Sequence, residues 1–311
     1  MIFIAIMEYA ILASTFTLSK IAIQFADPLF LIGIRMLIAA PLIMAVQYLQ
    51  ERKFCFYIDK KDYYSFLKVG IYHIAIPFIG EFWALQYISS IKSAITYSLT
   101  PFIAAFLSFL LLKKKLSLKQ SIGLFIGLFG ILPIFMSSSL PEQLMGEFLY
   151  ISLPEIVLLL SVISASYAWF IISDLMNKGY SISIINASSM FIGGLISLII
   201  WLFTAKNFQP LNGSFNDFLF WTLCLVIVAN VISYNLYGWL LKHISITLMS
   251  VTGFFCPIFA SLYGWLFLNE EVGLLHVISL TMVIFALWLF YQDEISLKDK
   301  KYLWKSYLKK I

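Results

Sequence analysis

WALQYIS, residues 83–89, returns as WLLKHIS at 239–245. The interval is 156 residues, and the same shift lays Pro101 on Pro257, Ala104 on Ala260, Leu110 on Leu266 and Leu112 on Leu268 without a gap. The chain is therefore read as two copies of one unit. What that unit is follows from the polarity of the sequence on either side of the match.

Apolar runs of roughly 20 residues, the length a helix needs to cross the hydrocarbon of a bilayer, recur from the first residues to about Tyr291. Ten are read, over 3–24, 28–49, 64–87, 90–112, 119–136, 153–173, 182–204, 218–240, 246–268 and 272–291. With 61% hydrophobic and 12% charged residues in 311, the chain has more apolar surface than one soluble core could hide. The fold expected is an all-α membrane protein of ten transmembrane helices. Each copy crosses five times, an odd number, so the second copy enters the bilayer upside down. The units are two inverted five-helix repeats, 1–136 and 153–291, with an outer linker 137–152 and a basic cytoplasmic tail 292–311. The first span lacks a basic leader, contains Glu8 and shows no small-residue cleavage pattern, so it is read as retained.

Orientation follows from the 21 Lys and Arg. With both termini cytoplasmic, 16 fall on inner segments and three, Lys20, Lys92 and Lys206, on outer ones; Arg35 and Lys68 lie inside spans. The net charge of +5 thus reflects topology and gives no support for nucleic-acid binding. Trp304, Tyr307, Leu308 and Ile311 recur at helical spacing among lysines, which suits either a helix on an anionic leaflet or a solvated tail. Cys55, Cys224 and Cys256 imply no disulfide framework.

ASTFTLSK (13–20), DPLFLIGIR (27–35), SLTPFIAAFLSFLLL (98–112) and SIGLFIGLFG (121–130) resemble the drug/metabolite transporter superfamily, specifically its EamA-type ten-helix members, over about residues 3–291. The resemblance implies a metabolite carrier with cytoplasmic termini and a central cavity lined mainly by spans 1, 3, 4, 6, 8 and 9. Similar carriers move amino acids, purine-type compounds and other small metabolites, and members in host-dependent bacteria take up S-adenosylmethionine. Two departures stand out. Lys114 occupies a position where the family often has Glu, although the second copy keeps Glu270, and the ladder Gly123, Gly127, Gly130 becomes Ser279, Val283, Ala286. The second bears on a symmetric dimer contact through spans 5 and 10.

An ionised side chain near the middle of a membrane helix costs about 2.5–3.5 kcal/mol on insertion scales, so each needs a partner, a wet cavity or a task. Glu8, Arg35, His73 and Glu81 all lie in the first copy, and the shift sets Glu81 against Tyr237 and His73 against Ala229, so the site is not electrostatically symmetric. On span 3, Gly70, His73, Pro77, Gly80, Glu81 and Ala84 form one stripe. This is either a packed interface kinked at Pro77, with His73 hydrogen-bonded to a neighbour, or a wall of the site. Arg35 is read as structural or gating and as the partner that neutralises Glu81; the alternative gives Glu81 to a ligand. Glu8, Thr15 and Ser19 share a face of span 1. Glu8 either reaches interfacial water or, with Glu81 and His73, attracts a cation or relays a proton.

Ser93, Thr96, Tyr97 and Thr100 line span 4, Asn230, Ser233, Tyr234 and Tyr237 line span 8, and Trp169 follows Tyr167 in span 6. The substrate-binding set is Glu8, Thr15, His73, Glu81, Tyr97, Thr100, Trp169, Asn230, Tyr234 and Tyr237, with Arg35, Pro77, Pro101 and Pro257 structural or gating. Aromatic faces, amides and carboxylates suit a flat heterocycle or an amino-acid-like cation, although the same residue types also glue helices together. Ser152 and Glu155 read as a capping box without a transport role.

His73, His243 and His276 lie on separate elements, with no zinc motif, phosphate loop or nucleophile elbow, so no enzyme, cofactor or metal is expected. The expectation is a secondary transporter of the bacterial inner membrane working by alternating access. Uptake of an S-adenosylmethionine-like or other nucleoside- or amino-acid-type metabolite comes first. An amino-acid or drug exporter is the alternative, and a receptor or assembly factor without transport the reading outside the family. Its partners are the bilayer and a small-molecule substrate, with a proton or counter-substrate and the oligomeric state left open. Single cysteines placed at the two ends are expected to react with an impermeant maleimide from the cytoplasmic face alone; labelling from opposite faces would overturn the topology.

Overall fold

The computed structural model describes residues 1–51, 57–113, 116–137, 140–148, 151–205, 208–243, 252–253 and 255–308. The helices are α1 (Ile2–Ala22), α2 (Pro28–Glu51), α3 (63–84), α4 (Ser90–Tyr97 and Thr100–Leu112), α5 (Leu118–Gly130 and Leu132–Phe135), α6 (Leu153–Asn177), α7 (Ile182–Thr204), α8 (215–243), α9 (Phe255–Leu268) and α10 (Leu274–Leu308). Eight stretches among the described residues are long and apolar enough to cross a membrane. They fall in all of these helices except α3, which carries Lys68, His73 and Glu81, and α9, which has 14 described residues. Phe106, Leu110, Phe125, Phe203 and Trp265 stand exposed on the outside of the bundle, as lipid-facing side chains do. The protein is an all-α membrane protein, with one two-residue antiparallel pair, Glu147–Phe148 against Ile151–Ser152, in the connection before α6.

The principal helix contacts are α2 with α7, α5 with α10, α4 with α9, α1 with α9, α4 with α6, α3 with α6, α1 with α8, α3 with α7 and α2 with α8. Exchanging each helix for the one five places away returns the same set. Two local features repeat at the 156-residue interval. Widened π turns begin at Gly70 in α3 and at Val226 in α8. Left-handed residues end α4 at Lys113 (φ 53°) and α9 at Asn269 (φ 52°).

Close approach is bought with small residues where like-numbered helices of the two copies meet. A Cβ on Gly194 of α7 would stand 3.1 Å from the Gly33 carbonyl of α2. In α5, a Cβ on Gly123 would meet the Ala286 carbonyl at 2.9 Å and one on Gly130 the Met282 Cβ at 2.9 Å. Gly123 and Gly130 therefore face α10 of the same chain, while Gly127 between them meets the Phe102 ring of α4.

At the end of the bundle holding the α3–α4 and α9–α10 connections, polar groups tie five helices together. Lys92 Nζ lies 2.7 Å from both Glu142 Oε2 and Glu155 Oε1. Glu155 Oε2 accepts from the Ser152 N–H at 2.7 Å, the reach expected of a capping box. The Glu270 carboxylate accepts from Ser90 N at 2.6 Å, Ser90 Oγ at 2.9 Å and Ile91 N at 3.1 Å, and so caps α4. Lys20 Nζ donates to the carbonyls of Leu85 and Ile88 that end α3. At the opposite end, Lys178 Nζ and the Tyr180 hydroxyl bind Asp62 at 3.0 and 2.9 Å and hold its carboxyl below the usual aspartate range.

These contacts amend several expectations. Lys92, taken as an outer-segment cation, is only 2% exposed, and Glu155 is an ion-pair partner as well as a cap. The helix of the last span does not stop at 291 but continues into the tail to Leu308. Cys224 and Cys256 are free. Ile244 and Ser245 of the repeat match, the start of span 9 at 246–251, Cys55, Lys114, Lys206, Ile311 and the side chains of Trp304, Tyr307 and Leu308 lie outside the described residues.

Removing one partner of a buried ion pair leaves the other charge uncompensated, at about 3–5 kcal/mol. Lys92→Ala is therefore expected to lower the thermal unfolding midpoint of the purified protein strongly, and exposed Lys61→Ala to leave it unchanged; equal effects would discount the buried network.

Candidate functional site

The polar interior is built around α3, where the helical ladder fails. Past the widened turn, Ile76 N–H bonds the carbonyl of Ile71, five residues back. The next donor in that register would come from residue 77, which is a proline and has none. The carbonyl left over, that of Tyr72, accepts instead from Ser164 Oγ of α6 at 2.9 Å. Pro77 thus sits at the exit of a widened turn, and the kink read from the sequence takes that form.

The second copy solves the same contact differently. Ser233, in α8, stands where the shift places Pro77, and its hydroxyl donates to Glu8 Oε1 at 2.7 Å. Glu8, in α1, stands where the shift places Ser164. The α3–α6 and α8–α1 junctions are therefore held by exchanged chemistry at equivalent positions. Glu8 is wholly buried, so it does not reach interfacial water, and Oε2 has no hydrogen-bond partner among the described residues.

Arg35 and Glu81 are both buried, at 3% and 8% exposure. They lie within one another's field, yet form no ion pair within 4.0 Å. The Arg35 Nε–H donates to Asn230 Oδ1 at 3.1 Å, and its guanidinium carbon lies 5.2 and 5.8 Å from the ring centres of Phe78 and Phe82 on α3. The Tyr97 hydroxyl lies close to the Glu81 carboxyl. Direct neutralisation of Glu81 by Arg35 is not what the structure shows.

Tyr97 ends the first half of α4, touching Phe16 at a ring distance of 5.6 Å, and packs with Cys256 of α9 against one cluster of Ala13, Phe16, Ala94 and Ala260. Thr100 turns its hydroxyl back to the Tyr97 carbonyl at 2.6 Å, and Pro101 opens the second half of α4. Thr15 is likewise occupied, by the Leu12 carbonyl at 2.6 Å, and the Pro257 carbonyl takes Ser261 Oγ at 2.8 Å. Asn230 is fully buried, its amide holding Arg35 on one side and approaching Met190 Sδ at 3.7 Å on the other. Tyr234 packs beside Arg35, while Tyr237 meets Tyr9 near Glu8. His73 is buried, edge-on to half-exposed Trp169 at 5.6 Å, and neither ring nitrogen has a partner among the described residues, contrary to the hydrogen bond expected for it.

The expected residues thus gather into three groups. Arg35, Glu81, Tyr97, Asn230 and Tyr234 form one, Glu8 and Tyr237 with Ser233 a second, and His73 with Trp169 a third. Cys256, near Glu8, packs against the same apolar cluster around Phe16 as Tyr97 of the first group. Sequence reasoning missed Ser164 and the positioning role of Asn230; the 156-residue shift that pairs Ser164 with Glu8 was the available signal. No metal-binding cluster occurs among the described residues.

Paired broken helices around buried charges define a multi-pass membrane transporter. The chain belongs to the EamA-like transporter family, which matches residues 1–136 and again 152–292. It is 31% identical over 264 residues to the S-adenosylmethionine/S-adenosylhomocysteine transporter of Chlamydia muridarum, covering 84% of this chain and 81% of that one. Against the transporter so named in Chlamydia trachomatis serovar D it is 31% identical over 265 residues, 84% and 79% of the two chains. A solved structure at 14% identity shares the fold, with a TM-score of 0.59 over 93% of this chain and 94% of the other. Family and relatives are transporters and not enzymes, and they act on small molecules in a membrane setting.

Ser164→Ala would leave the Tyr72 carbonyl unpaired, at about 1–3 kcal/mol. The expected result is a lower unfolding midpoint that the further change Pro77→Ala, which restores an N–H, partly recovers; no recovery would separate Ser164 from the proline.

Proposed function

We propose that this protein carries S-adenosylmethionine across the bacterial cytoplasmic membrane by alternating access, with S-adenosylhomocysteine as counter-substrate. The observation that carries this reading is the likeness, over 84% of the chain, to transporters bearing those substrates in their names. The interior agrees with it chemically. S-adenosylmethionine combines a sulfonium and an ammonium with a flat purine. The site offers Glu81 and Glu8 for positive charge, with the ring of Tyr97 beside the first of these and that of Tyr234 near Arg35. His73, with both ring nitrogens unpartnered beside the edge of Trp169, suits a purine that brings its own donors and acceptors.

The reading includes ten spans in two inverted units, 1–136 and 153–291, joined by linker 137–152, with tail 292–311 and both termini in the cytoplasm. The repeated π turns and left-handed caps support the two units, and the placement of Lys and Arg supports the orientation. Alternating access then exposes the interior to each side in turn.

Purified protein in liposomes is expected to take up labelled S-adenosylmethionine, and to do so several-fold faster with S-adenosylhomocysteine trapped inside. Uptake driven by an imposed proton gradient instead, and lost in Glu8→Gln, would replace exchange with proton coupling. Indifference to S-adenosylmethionine together with efflux of amino acids would install the exporter.

A further inference from the structure

Two buried opposite charges that sense one another without forming an ion pair leave each with capacity for a further partner. Arg35 and Glu81 are 97% and 92% buried, and no nitrogen–oxygen approach between them falls within 4.0 Å. Each is held in place from behind. Asn230 takes the Arg35 Nε–H at 3.1 Å, Phe78 and Phe82 back the guanidinium, and Tyr97 lies beside Glu81. Of the five N–H donors on a guanidinium, Asn230 accounts for one, and the terminal fork, the part that matches a carboxylate in plane, has no hydrogen bond among the described residues. The Glu81 carboxylate has the Tyr97 hydroxyl close by and no salt bridge among the described residues, and a carboxylate can accept several hydrogen bonds.

We propose that Arg35 and Glu81 together bind the α-amino-acid end of the substrate, the Arg35 fork taking its carboxylate and Glu81, with Tyr97, its ammonium. This rests on the substrate reading above and adds which end of the molecule enters here. A zwitterion completes both charges at once. An anion or a cation alone leaves one charge uncompensated in a low-dielectric interior, so the pair selects for a head that carries both signs on one carbon.

Competition against labelled S-adenosylmethionine uptake in liposomes tests the assignment on the wild-type protein. The decarboxylated analogue keeps the sulfonium, ammonium and purine but lacks the carboxylate; it is expected to compete roughly tenfold or more worse than unlabelled S-adenosylmethionine. In Arg35→Gln that difference is expected to shrink to about threefold or less, because no fork remains to miss the carboxylate. In Glu81→Gln both ligands are expected to weaken together, while 5′-methylthioadenosine, which has no amino-acid end, competes as before. Should Arg35→Gln fail to insert, the wild-type comparison still decides. Decarboxylated analogue competing within about threefold of S-adenosylmethionine overturns this assignment and leaves the substrate reading standing. Wild-type protein that takes up no S-adenosylmethionine overturns both.

Discussion

Inside hydrocarbon no water is at hand to meet an orphaned peptide group, and the organisation of this protein turns on one such group, the carbonyl of Tyr72. A helix that widens by one residue and then meets a proline loses a donor at a depth where the loss is costly. Ser164 supplies it from α6, which fixes α3 against α6 in both depth and rotation. Gly80, one turn onward, then lies so close to Ser161 that no side chain fits there. With α3 pinned on that face, Glu81 points toward Tyr97 and the field of Arg35, and His73 toward Trp169. The site's geometry follows from a backbone defect and its repair.

The contacts differ in kind according to where they lie. Where α2 meets α7 and α5 meets α10, glycines bring backbone against backbone, and parting them would open voids and lose packing that nothing else replaces. At the two ends of the bundle the ties are ionic and hydrogen-bonded: Lys92 with its two glutamates, Glu270 on the start of α4, Asp62 with Lys178 and Tyr180. Such groups can exchange protein partners for water when a gap opens beside them. A carrier that rocks about seams and opens at its ends would place its contacts in this way.

Much of this was open to inspection in the sequence, and for identifiable reasons. Span length, the 156-residue shift and the lysine distribution are collective signals that survive local irregularity. They gave the all-helical membrane fold and the placing of Glu8, Arg35, His73 and Glu81 in the first copy, while buried Glu155 of the second belongs to the ion-pair network at the end of the bundle. Pro77 was legible as a disturbance, but the widened turn was not, because its partner Ser164 is 92 positions away and ordinary in context. The partners of Lys92 were hidden for a related reason. A lysine at a span end normally reaches water; here the connection after α5 folds back and delivers Glu142 over it. The hydroxyls of Thr15 and Thr100, read as lining, donate to carbonyls of their own helices, a local bond that periodicity does not register. Asn230 looked like a ligand contact and holds Arg35.

Duplication supplies the frame, and divergence within it supplies the specificity. Under the shift Glu8 answers to Ser164, Arg35 to Phe191, His73 to Ala229 and Glu81 to Tyr237, so the scaffold keeps its pairing while one copy keeps the charges. A pocket on a true twofold would present each charge twice and would favour a ligand that is itself symmetric or small enough not to notice. A molecule with a zwitterionic end and a flat aromatic end has no such symmetry. Keeping Glu8, Arg35, His73 and Glu81 in one copy, and answering them with Asn230, Ser233, Tyr234 and Tyr237 from the other, makes the two halves of the interior chemically different. The Glu8–Ser233 junction shows how cheaply this can be done: two substitutions at equivalent positions convert a serine-to-carbonyl contact into a serine-to-carboxylate one, with the helices still in contact.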